Sequence, residues 1–381
     1  MKIAVVQPRL SYFSGGGEKI PLESISHLVN ILDNVSFDLY TTKSPLRPAP
    51  GYELFKAKAA KNKKINIYEI PTPKKYKPLY KIQPGENRYR WDAESLYFNN
   101  LVYDPINKNK PDIILSYYLL DCLFKPAGIH SMLYLLGYPR TESEYREAML
   151  DQYDSILSIT QNTLNQWNSR LATQIHSQGI LHQGVDLTIK PKNVPHFRKH
   201  DFNIVFAGRL IQRKGIITLL DAIRILRQET KNIKLFILGD GPLLNDIKEF
   251  VEVNHLEDCV ALEGFRSDVI DYINSANLCV FPSHEGEGLM NVVLESMFYN
   301  GLVITTYGNG NEEAITDNKN GFLVKPSDPT DLKDKIKYVI KNDPTLTKIQ
   351  KKAKDTIVNN FSWENHAKSF YSICNKVLSN G

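Results

Sequence analysis

At 381 residues the chain is long enough for two domains of ordinary size, at roughly 100 to 200 residues each. Hydrophobic residues make up 42% and charged residues 23%, a globular composition that excludes disorder, collagen and coiled coil as whole-chain descriptions. A formal charge of +5 is too mild to point to nucleic acid, which is not expected as a partner.

The opening run Met1 to Pro8 is apolar but stops at proline, too short for a secretory leader, and no later stretch has the length of a membrane helix. A soluble, cytoplasmic protein is expected. Short β-rich runs at Lys2 to Gln7, Phe37 to Thr41, Ile65 to Ile70, Asp112 to Tyr117, Met132 to Leu136 and Ser155 to Ile159 alternate with helical patterns. Apolar on both faces, they read as parallel strands covered by helices. Between Asp186 and Asp201, two prolines and several charges without periodicity read as a linker. The rhythm then restarts. Asn203 to Ala207, Lys234 to Leu238, Val260 to Glu263, Leu278 to Pro282 and Leu302 to Thr306 read as strands, and Thr218 to Gln228 as a helix. The expected fold is α/β, two doubly wound Rossmann-like domains facing each other across a cleft that holds the ligand. One stretch breaks the rhythm: from Lys56 to Arg90, clustered lysines alternate with Tyr68, Tyr76, Tyr80 and Tyr89. This composition suits a solvated insertion, or a surface for anionic lipid head groups or a polyanionic acceptor.

The four cysteines Cys122, Cys259, Cys279 and Cys374 lie far apart with no C-x-x-C, so neither a disulfide framework nor zinc is expected. There is no Asp-x-Asp triplet, and no metal is expected. The densest chemical signal is Pro282-Ser-His-Glu-Gly-Glu-Gly-Leu-Met-Asn-Val-Val-Leu-Glu-Ser-Met297, which follows an apolar strand, crosses glycines and enters a helix with Asn291 as the expected N-cap. Exposed amides at such a helix start favour an anion. If wholly helical, Glu287 and Glu295 would lie ~12 Å apart, wider than the carboxylate pair of a glycosidase and suited to gripping two parts of one elongated ligand. Upstream, Gly208-Arg-Leu-Ile-Gln-Arg-Lys-Gly215 closes a strand, and Arg209 and Lys214 bracket a turn where a phosphate would lie. A diphosphate held by these cations and a helix N-terminus is a better leaving group, because its developing charge is stabilised in place. Ser14-Gly-Gly-Gly-Glu-Lys19 follows the first strand, either as a close-approach loop or as simple flexibility.

These motifs, with Gly239-Asp-Gly-Pro242, Gly264-Phe-Arg266, Gly310-Asn-Glu-Glu313, Asn320-Gly-Phe-Leu-Val324 and Phe361-Ser-Trp-Glu364, resemble in order and spacing the retaining family 4 (GT4) glycosyltransferases of GT-B architecture. The likeness covers about Asn203 to Glu364; the first half shares the opening strand, the Gly-rich loop and His182-Gln-Gly-Val-Asp186. It implies an acceptor domain over 1–190, a donor domain over 200–360 and a C-terminal helix, 361–381, crossing back to the first domain. It also implies a catalytic group of Glu287, Arg209 and Lys214, the cations holding a diphosphate and Glu287 the hydroxyls of the transferred sugar. Glu295 would bond the ribose, the amides around Gly288, Leu289, Met290, Asn291 and Val292 would face sugar and phosphates, Gly16 and Gly17 would close over the phosphates, and the backbone near Arg266 would meet the base. No cofactor is implied; the donor implied is a nucleotide-diphosphate sugar (UDP or GDP) and the acceptor a glycan or lipid-linked hydroxyl in polysaccharide biosynthesis, while the composition of residues 56–90 makes them the candidate for peripheral contact with an anionic membrane. Three departures stand out: Leu136 where the family often has a histidine, Met290 for a small residue, and Asn309 inside a usual Gly-Gly pair. The missing histidine keeps a silent sugar-nucleotide- or glycan-binding subunit open as an alternative, and a nucleotide-sugar epimerase or hydrolase of the same fold is a second one.

Overall fold

The structure is a computed structural model, and it describes residues 1–12, 16–43, 48–71, 88–118, 124–138, 150–169, 177–197, 201–284, 286–342 and 345–379. The chain divides into two compact units, Met1–Gly184 with Trp363–Gly381, and Val185–Ser362.

In the first unit, seven strands run parallel: β1 (Lys2–Val6), β2 (Ser36–Lys43), β3 (Ile65–Pro71), β4 (Ile113–Ser116), β5 (His130–Leu135), β6 (Ser155–Ser158) and β7 (Ser177–Ile180), in the order β3-β2-β1-β4-β5-β6-β7. Helices α1 (Gly16–Ile31), α2 (Pro50–Ala59), α3 (Arg88–Asn109) and α4 (Gln161–Asn168) connect them. β1 and β4 are buried almost throughout, so their unbroken apolar runs follow from having helices on both faces. Strand β7 escapes the sequence reading because Ser177-Gln-Gly-Ile180 has neither alternation nor an apolar run.

The second unit holds six parallel strands, β8 (Phe202–Ala207), β9 (Ile233–Leu238), β10 (Val260–Gly264), β11 (Leu278–Phe281), β12 (Val303–Thr306) and β13 (Phe322–Val324), in the order β10-β9-β8-β11-β12-β13. Its helices are α5 (Ile216–Arg227), α6 (Leu244–Val253), α7 (Val269–Ser275), α8 (Asn291–Tyr299), α9 (Pro329–Asn342) and α10 (Thr347–Asn360). The apolar stripe of α5, Leu219, Leu220, Ile223 and Leu226, is at most 1% exposed. Strand order reverses between β8 and β11, which makes the crevice beyond their carboxyl ends the place where this topology accepts ligands.

The last helix, α11 (Trp363–Ser379), belongs to the first unit. It packs on α1: Trp363 stacks on His27 at 4.5 Å, and His366 sits 3.0 Å from the Ser24 hydroxyl. The expected linker, Asp186 to Asp201, is a correction where it is described: the Lys192 and Val194 amides donate to Asp271 and Ser275, and Phe197 stacks on Phe236 at 4.2 Å, so this run is fastened to the second unit. Lacking periodicity, it is held by backbone donors and aromatic contacts that binary patterning does not detect.

Cys259, Cys279 and Cys374 are free and buried; Cys122 lies outside the described residues. Of the lysine-rich stretch, 72–87 also lies outside them, while Lys56 is paired with Glu69 at 2.8 Å and Lys64 donates to the Val29 and Leu32 carbonyls at the end of α1. Those two charges serve the fold locally. Among the described residues no helix is long and apolar enough to cross a membrane.

Candidate functional site

Strand β8 ends at Ala207, and the loop that follows is pinned to its neighbour: the Gly208 amide donates to the Leu238 carbonyl and the Leu210 amide to the Asp240 carbonyl, both at 2.9 Å. A single 3₁₀ turn, Gln212–Lys214, ends on Gly215, whose left-handed φ of 68° reverses the chain into α5. A Cβ there would stand 1.8 Å from the Pro282 carbonyl oxygen, so glycine is what lets this loop lie directly on the loop that leaves β11. A second tie, His284 N–H to the Arg213 carbonyl at 2.8 Å, locks the two loops together.

Across this seam the charges meet. Lys214 Nζ stands 3.1 Å and Arg213 Nε 3.0 Å from the same oxygen, Oε1 of Glu287, whose side chain is 11% exposed. The contact is an ion-pair cluster, two cations on one carboxylate oxygen. Burial pushes the Lys214 ammonium below the ordinary lysine pKa; Arg213 and Arg209 push the same way, and Glu287 opposes them. A cation desolvated this far, beside two other cations, gains strongly from an arriving anion. Lys214 Nζ and the Ser283 hydroxyl also reach the Met290 sulfur, at 3.4 and 3.3 Å. The Met290 side chain is therefore part of the site, where only its backbone is expected from sequence.

A buried amide network holds the Glu287 loop. Asn309, fully buried, accepts the Glu287 amide at 2.9 Å and donates to Thr306 at 2.9 Å and to the Ser283 carbonyl at 3.3 Å. The Gly310 amide donates to the Glu287 carbonyl at 3.0 Å. Asn311, also fully buried, accepts the Met290 amide at 2.9 Å and donates to Thr305 at 3.3 Å. The Glu287 amide and carbonyl, and the Met290 amide beyond them, are thus held by the fold itself.

Several sequence expectations are corrected here. Asn291 is the first residue of α8 and Met290 precedes it as the cap, without a side-chain cap bond. Because α8 begins only at Asn291, Glu287 lies outside it and the ~12 Å helical spacing to Glu295, which is half-buried, does not apply. The Met290 amide is committed to Asn311, Gly288 and Leu289 are buried, and the opening amides of α8, Asn291 and Val292, come before its intrahelical bonding begins. The Arg266 side chain is clamped by Asp268, at 2.8 and 2.6 Å, and lies over Tyr272. Arg209 is exposed beside Lys214. Gly16 and Gly17 open helix α1 of the first unit rather than a loop, and Gly15 lies outside the described residues. His130 begins β5 and meets Ser155 at 2.7 Å, whereas Leu136 follows the other end of that strand, so His130 does not replace a histidine at 136.

What sequence reasoning missed is Arg213, with Ser283, Asn309 and Asn311 as supports. The signal for Arg213 was present as a second cation beside Lys214, but only the Gly215 turn shows that both face Glu287. Among the described residues no group of three His, Cys, Asp or Glu side chains is placed to hold a metal.

Residues 190–356 match the model of the glycosyl transferases group 1 family. Over that stretch the chain is similar to the group 1 glycosyltransferases. A protein of Methanocaldococcus jannaschii named as an uncharacterized glycosyltransferase is 27% identical over 376 residues, 94% of each chain. The capsular polysaccharide biosynthesis glycosyltransferase CapM of Staphylococcus aureus is 30% identical over 172 residues, 43% of this chain and 44% of CapM, less than half its length. The structure of Anabaena HepE with UDP-glucose superposes with a TM-score of 0.73 at 16% identity, covering the whole of both chains, a likeness of fold. The fold is GT-B, built from two Rossmann-like units.

Proposed function

We propose that this glycosyltransferase moves a sugar from a nucleotide-diphosphate donor to a hydroxyl of a glycan or lipid-linked acceptor, with retention of anomeric configuration and without a metal. The observation that carries this reading is the Glu287 carboxylate set against Lys214 and Arg213 at the β8/β11 switch point. The arrangement suits a diphosphate beside the cations and sugar hydroxyls beside the carboxylate. In the proposed step the bond from the anomeric carbon to the diphosphate oxygen breaks, and its electron pair leaves with the phosphate into the field of Arg209 and Lys214. The acceptor oxygen then bonds the anomeric carbon from the same face, and its proton passes to the departing phosphate oxygen. Independence from a metal is proposed because lysine and arginine already supply the counter-charge that a divalent ion would otherwise bring. The UDP-glucose bound by HepE supports a nucleotide-sugar donor, and the name of CapM supports a polysaccharide acceptor.

The test is transfer from labelled UDP- and GDP-sugars, with and without EDTA. Lys214→Ala is expected to lower kcat/KM by about 100-fold or more, the scale of one preorganised group facing developing charge. EDTA is expected to leave the rate unchanged. Activity near wild type in Lys214→Ala would remove the cradle from the mechanism.

A further inference from the structure

The Glu287 cluster holds one more cation than a two-residue diphosphate clamp requires. Arg213 and Lys214 meet a single carboxylate and Arg209 lies beside Lys214, so the group carries two positive charges in excess, which equals the negative charge of a diphosphate diester. Lys214, however, is already engaged, its ammonium 3.1 Å from Glu287. An anion can engage Lys214 fully only if Glu287 keeps another counter-ion, because a carboxylate this buried is costly to leave alone. Arg213 is the group placed to remain. Its guanidinium approaches Glu287 at 3.0 Å, its side chain is anchored at the Gly286 carbonyl at 3.5 Å, and its own carbonyl is held by the His284 amide at 2.8 Å. It therefore sits on the Glu287 side of the cluster, fixed at both ends, whereas Lys214 Nζ reaches Glu287 and the soft sulfur of Met290.

Resting on the donor-site reading above, we infer that Arg213 is a positioning residue: it holds Glu287 as a permanent counter-ion and so frees Lys214 for the diphosphate. Arg213 then raises diphosphate affinity without touching the diphosphate, and it keeps the carboxylate turned toward the place of the transferred sugar.

A double-mutant cycle on the full chain separates this from direct contact, reading Kd by calorimetry with UDP, GDP and ADP as probes and continuing with whichever wild type binds. Arg213→Ala is expected to weaken binding about tenfold, since Lys214 becomes the sole partner of Glu287. Arg213→Lys, which keeps a cation there, is expected to recover most of that loss. In a Glu287→Gln background, Arg213→Ala is expected to change Kd little, because the group through which Arg213 acts no longer carries charge. The same tenfold loss in both backgrounds would show that Arg213 meets the nucleotide itself and would overturn the inference, as would wild-type affinity in Arg213→Ala. Arg213→Gln, run alongside with melting curves, guards against a folding defect in the alanine variant. If wild type binds none of the three nucleotides, the donor-site reading fails and this inference with it; binding by wild type with additive losses removes the inference alone.

Discussion

Asn309 interrupts the Gly-Gly pair expected from the family resemblance, and its amide fills a role that glycine has no side chain to fill. Its oxygen accepts the Glu287 amide and its nitrogen is shared by Thr306 and the Ser283 carbonyl, so one buried side chain ties the loop after β11 to the end of β12. Asn309→Ala leaves the Glu287 amide and the Ser283 carbonyl without these partners, a cost of about 1–3 kcal/mol at a fully buried position. The expected functional outcome is asymmetric. Lys214 belongs to the other loop and stays in place, so nucleoside diphosphate affinity changes little while kcat falls, because Glu287 is no longer aimed. Chemical denaturation and steady-state kinetics on the same variant check both halves, and equal losses in affinity and kcat would show that the network supports the whole site instead. At this scale the sequence displayed Glu287 and Lys214 clearly, since each sits in a glycine-bounded motif just beyond an apolar strand. It did not display Arg213 or Asn309, whose partners are 74 and 22 positions away in the chain and meet them only through the β8-β11-β12 order.

At the level of elements, α11 is attached to its unit through a histidine. His366 is buried, its Nδ1 2.7 Å from the His182 carbonyl and its Nε2 3.0 Å from the Ser24 hydroxyl, which fixes a neutral ring donating to the first and accepting from the second. Burial pushes its pKa down to about 4 from 6.5, against the pull of the His182 carbonyl, with His27 and His182 adding in the same direction as burial. The unfolded chain therefore binds this proton more readily than the folded one between those values. The resulting stability is fully present above about pH 6.5 and is lost as pH falls toward 4, up to about 3 kcal/mol. Melting temperature is expected to drop across that window in wild type and to slope less in His366→Gln, whose amide can keep both hydrogen bonds. Identical slopes would place the acid sensitivity in other groups. The helix itself is legible in the spacing of Trp363, Ala367, Phe370, Cys374 and Val377, all at most 4% exposed. The start of α8 is not: Asn291 has the right chemistry for a cap, yet the Asn311 side chain already satisfies the Met290 amide, and the helix begins one residue earlier than a capping asparagine would set it.

For the whole molecule, the chain path separates the helix that completes the first unit from the charged site. The first unit is closed by the last residues of the chain, Trp363–Gly381, whereas the second is one continuous run, Val185–Ser362, that contains every member of the charged site. Sequence rhythm gave two α/β halves because buried parallel strands repeat, but which half owns the final helix depends on long-range packing such as the contact between Ile373 and Gly179, where an added Cβ would stand 3.2 Å from the Ile373 Cδ1. Ending the chain at Ser362 uncovers the α1 face that Trp363 and His366 occupy, and with it the edge strand β7. Hydrogen exchange on the full and shortened proteins, each with and without UDP or GDP, reads the two halves separately. The shortened chain is expected to exchange faster in α1 and β7 peptides while keeping wild-type protection in β8, β11 and α8. In both chains the bound nucleotide is expected to slow exchange over 208–215 and 286–292, where an occupied site would restrain the two loops that meet at Gly215. Nucleotide protection that vanishes on shortening would show that the first unit supplies part of the diphosphate site, and protection confined to first-unit peptides would place the donor there instead.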